Sequence, residues 1–527
     1  MEDSQKPDLM DKIVSLCKRR GFVFQSSEIY GGLRSAYDYG PMGAELKRNL
    51  MSEWWRFMVH SREDVVGIDA SIIMRPEVWQ SSGHLANFSD PLVDCKVCGE
   101  RFRADKAPRK AEGEDAPITL DKSRAKAAQD KLTEAGVKLH REGATLTGAK
   151  AGAAGYVCPN CGSPFMSDER RFNLMFRTSL GPVDPIGDVV DIVRKAMAEG
   201  ADDKALRARV EGALAASSVY LRPETAQAMF VQFMNVQQSL SLKVPFGIAQ
   251  MGKSFRNEVT AEHFIFRSCE FEQMECEFFV PPGEGPKYLE YWMGERMKWW
   301  KSIGIKEDSL RFRKHDDDEL AHYSDGCYDV EYKFPWGWDE LEGIASRTDF
   351  DLKAHSAGSG KKLTYFDPEA VDPATGKPGR HYVPHVVEPA AGATRGVLAA
   401  LCDAYDEEPA DAEGKGARTV LRLHPRLSPI KVGVLPLVKK DGMPEVARKV
   451  VDAFFTAGVN AKYDEQHAIG RRYARHDEVG TPYCLTVDTQ TLQDDTVTIR
   501  YRDDRRQERI KIADAVDTVR KALTETP

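Results

Sequence analysis

Periodic apolar positions are clearest at the two ends of the chain. Near the start, "YDYGPMGAELKRNLMSEWWRFMV" (37–59) places Leu46, Leu50, Trp54 and Phe57 on one stripe behind Pro41, which suits a first helical turn. That predicts a core-facing helix, and Trp55 beside the stripe widens the apolar surface in a way that favours a subunit interface. Towards the end, "IKVGVLPLV" (430–438) predicts a buried strand. Pro444 to Ala457 predicts a helix, with Val446, Val450 and Phe454 on one face. "YCLTVD" (483–488) and "TVTIRYR" (496–502) predict strands, and the tail from Ile512 a helix. The alternation implies a small α/β domain with a mixed sheet.

Between these ends the character changes twice. From Ala104 to Gly155 there is no aromatic residue, and Ala, Lys, Glu and Gly dominate. Such a segment buries little, so it reads as a helical insertion. From Phe165 to about Leu423 the aromatic, strand-rich pattern returns, broken by loops at 356–362 and 372–379. The polar stretch 406–418 then leads to the last domain.

Composition narrows the class. The 527 residues suffice for two or three domains, and 42% hydrophobic with 30% charged is ordinary for a globular protein. No apolar run approaches the roughly 18 residues of a membrane span, and the acidic, polar N-terminus does not read as a signal peptide. Ten cysteines, four of them in two CxxC pairs, suit a metal site in a reducing compartment, hence the cytoplasm. The net charge of −8 argues against a broadly basic nucleic-acid binder. From about Ser428 onward, however, the charges nearly cancel, leaving local runs at Arg471, Arg472 and Arg475 and at Arg500, Arg502, Arg505, Arg506 and Arg509. Their simplest reading is a solvated helix face or strand edge.

"GIAQMGKS" (247–254) fits the P-loop pattern through Gly247, Gly252, Lys253 and Ser254. A P-loop needs a helix directly behind its lysine, but "FRNEVTAEHFIFRSCEFEQMECEFF" follows, which reads as two strands joined near "VTAEH". As an antiparallel hairpin, the first strand directs Ser254, Arg256 and Glu258 to one face, and the second directs Arg267, Phe271, Gln273 and Glu275 to one face. Guanidinium groups, a ring and carboxylates on one surface suit phosphate, a base and an amino group. Phe271 would otherwise stand exposed among charges.

"FRNE…FRSCEFEQME" resembles motif 2 of the class II aminoacyl-tRNA synthetases, in particular the homodimeric glycyl-tRNA synthetases. The Pro41 helix resembles motif 1 and "EPAAGATRGVLAAL" (388–401) motif 3. "GFVFQSSEIYGG" (21–32), "YLRPETAQAMFVQF" (220–233), "WGWDELEGIASRTDFDL" (336–352) and "VLRLHP" (420–425) extend the likeness over nearly the whole chain. The resemblance implies an α+β fold: an antiparallel sheet flanked by helices, a zinc-knuckle and helical insertion, and a C-terminal α/β anticodon-binding domain. The expected boundaries are 1–94 and 165–426 for the catalytic domain, 95–164 for the insertion and 427–527 for the anticodon-binding domain. The implied activity is ATP-dependent attachment of glycine to tRNA(Gly) through glycyl-adenylate, by a homodimer. The competing reading is a non-catalytic relative serving as a nucleic-acid-binding or accessory subunit, which would have no need of Arg256, Glu258, Phe271 and Arg395 together.

Residue by residue, the resemblance assigns the α-phosphate to Arg256, the adenine end to Glu258, adenine stacking to Phe271, and the outer phosphates to Arg267 and Arg395. It implies that Arg256, Glu258 and Arg395 are catalytic. Asn257, Phe266, Ser268, Cys269, Glu270, Glu340, Leu341, Gly392, Ala393 and Thr394 complete the implied ATP segments, with Glu340 as a Mg²⁺ ligand. For glycine or its adenylate it implies Arg103, Glu224, Phe271, Glu272, Gln273, Met274, Glu275, Glu388, Pro389, Ala390, Ala391 and Gly392. Carboxylates can hold the α-ammonium and leave no room for a side chain, so no editing site is required. Ala390 departs from the family, which usually has Ser there; a hydroxyl contact to the substrate is lost.

"DCKVCGERF" (94–102) and "YVCPNCGSPF" (156–165) supply Cys95, Cys98, Cys158 and Cys161, four ligands suited to a closed tetrahedral structural Zn²⁺. No thioredoxin-like unit surrounds either pair, which disfavours a redox role. "HDDDELAH" (315–322) spaces His315, Glu319 and His322 as on a helix. It lacks the HExxH order, so it reads as a solvated segment. Cys17, Cys269, Cys276, Cys327, Cys402 and Cys484 stand singly and read as small core or surface residues.

Overall fold

The computed structural model describes residues 8–525 apart from 97, 105–117, 120–138, 143–144, 149–155, 157, 161–165, 182–184, 259–262, 317–323, 325, 374 and 410–417. Its centre is a seven-stranded sheet of β1 (Val65–Ile68), β2 (Phe246–Phe255), β3 (Glu270–Val280), β4 (Leu310–Lys314), β5 (Gly326–Phe334), β6 (Gly337–Thr348) and β7 (His385–Gly392). The strands lie in the order β4-β5-β6-β7-β3-β2-β1. Neighbours are antiparallel except β1, which runs parallel to β2.

The expected hairpin is β2–β3, in unbroken register from Phe246↔Phe279 to Phe255↔Glu270. Gly247 to Ser254 are therefore pleated strand, with no phosphate loop. The two glycines make room for neighbours: a Cβ at Gly252 would lie 2.2 Å from Arg222 Nη2, and one at Gly247 would lie 2.9 Å from Cys276 Sγ. Lys253 reaches across the hairpin to Glu270.

Alternation along β3 divides core from site. Met274, Cys276 and Phe278 enter the main core, against α1 (Pro41–Trp55), α2 (Gly285–Ser302) and α3 (Ala393–Ala404) through Leu50, Trp54, Trp292, Trp299, Trp300, Val397 and Leu398. Phe271, Gln273 and Glu275 face the other way. Pro41 opens α1 as expected, but the helix widens into a π-helical turn at Arg56–His60, so Met58, not Phe57, becomes fully buried. Trp55 covers Gly67 of β1, where a Cβ would sit 2.2 Å from its Cη2. That ring packs on its own chain and keeps partial exposure.

Within 104–155 the described residues form a small sheet of Ile118–Thr119, Leu139–Glu142 and Thr145–Gly148, where the pattern suggested helix. The C-terminal unit has the expected mixed sheet. Its strands are β8 (Val432–Pro436), β9 (Ala461–Tyr463), β10 (Tyr483–Val487), β11 (Thr496–Tyr501) and β12 (Gln507–Lys511), in the order β9-β8-β10-β11-β12. Helices α4 (Met443–Thr456) and α6 (Ile512–Glu525) close its core through Val450, Phe454, Ala515 and Val519. α5 (Ile469–Glu478) carries the first arginine run.

Only part of each arginine run is the solvated face that the sequence suggests: Arg471, Arg505 and Arg506 are exposed. Arg472, Arg500 and Arg502 are buried. Arg472 donates to the carbonyl of Pro436 at 2.6 Å, Arg502 to that of Gly480 at 2.8 Å, and Arg500 to both Asp477 oxygens at 2.9 Å. Among the described residues, no helix is long and apolar enough to cross a membrane.

Candidate active site

The site-facing sides of β3, β5, β6 and β7 line a cavity of roughly 310 Å³, within the range of small-ligand pockets. Arg256, Glu258, Arg267, Phe271, Glu275, Glu340, Glu388 and Arg395 all line it, together with Glu224, Phe266, Ser268, Gln273, Ala390, Ala391, Gly392 and Thr394. One half is cationic and aromatic. Arg256 lies 5.3 Å from the ring centres of both Phe88 and Phe271, and its Nε donates to the Pro223 carbonyl at 3.1 Å. Phe271 thus has the partner that its place among charges required. Arg395 stands 4.4 Å over Phe266, pairs with Glu340 at 2.9 Å and donates to the Glu340 carbonyl at 3.2 Å. Arg267 pairs with Glu258 at 3.4 Å.

Glu340 owes its direction to a β-bulge. Register passes from Val330↔Glu342 to Glu331↔Glu340, so Leu341 is the extra residue of β6. Leu341 enters the core and Glu342 meets Arg296 and Trp300 there, each at 2.6 Å, while Glu340 turns to the cavity. Arg395, against the opposing effect of burial, holds the Glu340 carboxyl below the usual carboxylate range.

The other half is acidic. Glu224, Glu275, Glu277, Asp351 and Glu388 cluster here, with Arg347 as the guanidinium bound to two of them. It binds Asp351 at 2.8 and 3.0 Å and Glu388 at 2.7 Å. Burial, then Glu388 and Glu224, push the Glu275 carboxyl up to about 8. Its oxygens accept from the Thr225 amide at 3.0 Å, from the Thr225 hydroxyl and from the Gln273 amide. Burial and then Glu388 drive Glu277 well up, whereas His84 and Arg347 overcome burial and hold Glu224 far below its usual value. Gln227 joins Glu224 and Asp351 at 3.0 Å each, and His355 holds Gln227 at 2.7 Å. The cluster has more carboxyls than cations, a surplus suited to an incoming ammonium.

Several implied residues are not brought to the cavity. Glu270, Glu272 and Met274 share the wrong strand parity: Glu270 pairs with Lys253, Glu272 with Lys47 at 2.5 Å, and Met274 is core. Leu341 and Ala393 are core as well, and Asn257, Cys269 and Pro389 do not line the cavity. Arg103 also lies outside the lining and is held by Asp90 at 3.1 Å. Sequence reasoning did not single out Arg347, Asp351, Glu277 or Asp329, and it read His315 as part of a solvated segment and Cys327 as a single core or surface residue, whereas both line the cavity. The "EL" pair of motif-like "WDELEG" drew attention, but Arg347 and Asp351 lay a few residues beyond it.

The sulfur atoms of Cys95, Cys98 and Cys158 lie within 4.8 Å of one another, with Cys98 and Cys158 3.6 Å apart. Cys98 and Cys158, 60 positions apart in sequence, are thus brought together in space, and the trio fits a metal. Cys161 lies outside the described residues, as do Glu319 and His322.

Residues 431–522 match the family model of the anticodon binding domain. A relative named glycine–tRNA ligase, from Treponema denticola, is 43% identical over 513 residues, covering 97% of this chain and 96% of its own. The glycine–tRNA ligase of Bifidobacterium longum is 47% identical over 516 residues, at 97% and 92% coverage. That of Streptomyces coelicolor is 45% identical over 511 residues, at 96% of both. Among solved structures, prolyl-tRNA synthetase from Cryptosporidium parvum aligns with a TM-score of 0.56 at 12% identity, over 98% of this chain and 78% of that one, a likeness of fold.

Proposed function

The chain belongs to the glycine–tRNA ligase family, and from that premise we propose how its cavity carries out the reaction. The protein is a class II glycine–tRNA ligase: it uses ATP to attach glycine to tRNA(Gly). In the first step the glycine carboxylate attacks the α-phosphorus of ATP and pyrophosphate leaves. In the second a ribose hydroxyl at the tRNA terminus attacks the glycyl carbonyl and AMP leaves. Both steps need positioning and neutralised charge more than covalent help from the protein.

Adenine stacks on Phe271, with Glu258 at its amino edge. Arg256 neutralises the α-phosphate, and Arg267 and Arg395 receive the outer phosphates. Glu340 is the carboxylate that would hold Mg²⁺, an ion that supplies charge neutralisation to the phosphates when bound. Glu224, Glu275 and Glu388 take the glycine ammonium, and the packed wall around them excludes larger amino acids. The observation that carries this reading is the division of one cavity into an arginine–aromatic half and an acidic half.

Further parts of the reading have separate support. The match over 431–522 supports tRNA contact by 427–527, beside a catalytic domain of 1–94 and 165–426 and an insertion of 95–164. Cys95, Cys98 and Cys158, with Cys161, would hold a structural Zn²⁺ that ties the two knuckles together. Exposed Ile29, Tyr30 and Leu33 offer apolar area for a homodimer. Among the described residues the cysteines form no disulfide, which suits work in the cytoplasm.

ATP–pyrophosphate exchange with each amino acid in turn tests the assignment. Exchange with glycine, at a rate about 10- to 200-fold above alanine or serine, is the expected result. Equal exchange with alanine would overturn the steric account of the acidic half.

A further inference from the structure

A second group of metal-ligating side chains lies at the edge of the cavity, away from the three cysteines. β4 ends and β5 begins side by side: the His315 amide donates to the Cys327 carbonyl at 3.0 Å. Cys327 and Asp329 are two apart on β5 and share a face. The result is one imidazole, one thiol and one carboxyl whose ligand atoms all lie within 4.8 Å of one another. His315 Nε2 already meets Asp329 Oδ2 at 2.7 Å. All three line the same cavity as Glu340 and Glu388. Asp329 is buried while His315 and Cys327 keep some exposure, so the group is anchored below and open on the cavity side.

We propose that His315, Cys327 and Asp329 form a site for a thiophilic divalent cation of the zinc class, and that occupation of this site blocks ATP. Metal–ligand lengths of about 2.0–2.3 Å place tetrahedral ligand atoms roughly 3.3–3.8 Å apart, which this trio reaches by small side-chain rotations. A thiolate and a carboxylate would balance the ion's charge, and the thiolate–imidazole pair selects zinc-like ions over Mg²⁺, which prefers oxygen. Among the described residues the site has three protein ligands, which leaves one coordination position, and it faces the cavity. An ion there sits beside Glu340, the carboxylate assigned above to the Mg²⁺ of ATP, and occupies the space that the phosphates enter. Metal binding itself rests only on the trio's geometry; the blocking effect also rests on the ATP assignment.

The test uses the full-length protein, with Cys327→Ala and His315→Asn as variants. The second changes a partly exposed side chain and guards against misfolding of the first. At one buffered free Zn²⁺ concentration, elemental analysis should find one more ion per chain in the wild type than in either variant. Co²⁺ substitution should give the wild type extra thiolate-to-metal absorption that Cys327→Ala lacks. Zn²⁺ should inhibit glycine-dependent exchange at a concentration at least 10-fold lower in the wild type, each protein measured against its own zinc-free rate, and added ATP should relieve it. Equal ion counts and cobalt spectra in all three proteins would overturn the site. An extra ion in the wild type with equal inhibition in all three would overturn the blocking role alone.

Discussion

Glu275 bears the sharpest electrostatic conflict in the cavity, and two outcomes follow. Its carboxyl is raised from 4.5 to about 8, so between those values the folded chain holds a proton that the unfolded chain has released. The associated stability is fully present below about 4.5 and is lost as pH rises towards 8. Urea unfolding between pH 5 and 8 should show this decline, with a slope approaching about 1.4 kcal/mol per pH unit for one full proton, and Glu275→Gln should flatten it. An arriving ammonium favours the ionised carboxylate, so the wild-type KM for glycine should fall as pH rises from 6 to 8. Glu275→Gln should lose that dependence and raise the KM about 100-fold, as expected for loss of a buried charge-assisted contact of up to ~3 kcal/mol. Ala390, opposite Glu275 in the ladder and lining the cavity, offers the reverse case. Ala390→Ser should restore one hydrogen bond and lower the glycine KM by about 2- to 10-fold; steady-state exchange kinetics would register either change. Strand parity made Phe271, Gln273 and Glu275 legible from the sequence. The same alternation continues to Glu277, whereas Arg347 and Asp351 were not legible, because their importance comes from a cluster assembled across three strands and a helix, which no local pattern encodes.

The β2–β3 hairpin shows at the scale of elements why a motif can mislead. Gly252 and Lys253 fit a phosphate-loop pattern, yet Gly252 serves Arg222, whose guanidinium crosses the strand to the carbonyls of Lys253 at 2.7 Å and Ala70 at 2.9 Å. Gly252→Ala should force that group aside and lower stability by about 2–4 kcal/mol in a denaturation experiment. Lys253→Ala should cost under about 1 kcal/mol, since its pairing with Glu270 is half-exposed, and should leave ATP binding nearly intact. Long periodic elements such as α1, α4 and α6 were legible, as were the apolar strands β8, β10 and β11. The three-residue β9 and the polar β12, "QERIK", carry too few apolar positions to announce themselves. The bulge that turns Glu340 inward was equally hidden, because it depends on the partner strand's register.

At the scale of the whole molecule, arginine–carboxylate ties join the C-terminal unit to the body. Asp477 on α5 is buried and binds Arg500 within its own unit and Arg418 on the strand Arg418–Leu421. Its neighbour Glu478 pairs with Arg20 at the end of the helix Leu9–Arg20, and Asn49 of α1 donates to the carbonyls of Leu427 and Ser428 at 3.1 Å each. Asp477→Asn should leave Arg500 without its carboxylate and Arg418 with Glu408 alone, and cost about 3–5 kcal/mol, visible as a lower melting temperature. Below that temperature, tRNA charging should fall more than glycine activation, which needs only the catalytic cavity. Sequence reading took Arg500 for part of a solvated face, since runs of cations usually are; its matching carboxylate lies 23 residues away along the chain. The central claim is that one cavity holds ATP in its arginine–aromatic half and the glycine ammonium in its acidic half. A crystal structure with a non-hydrolysable glycyl-adenylate analogue tests it most directly. The account predicts adenine against Phe271, the phosphate-like group on Arg256, and the ammonium within hydrogen-bond distance of Glu275 and Glu388 or Glu224. An analogue bound with its ammonium away from all three carboxyls would contradict it.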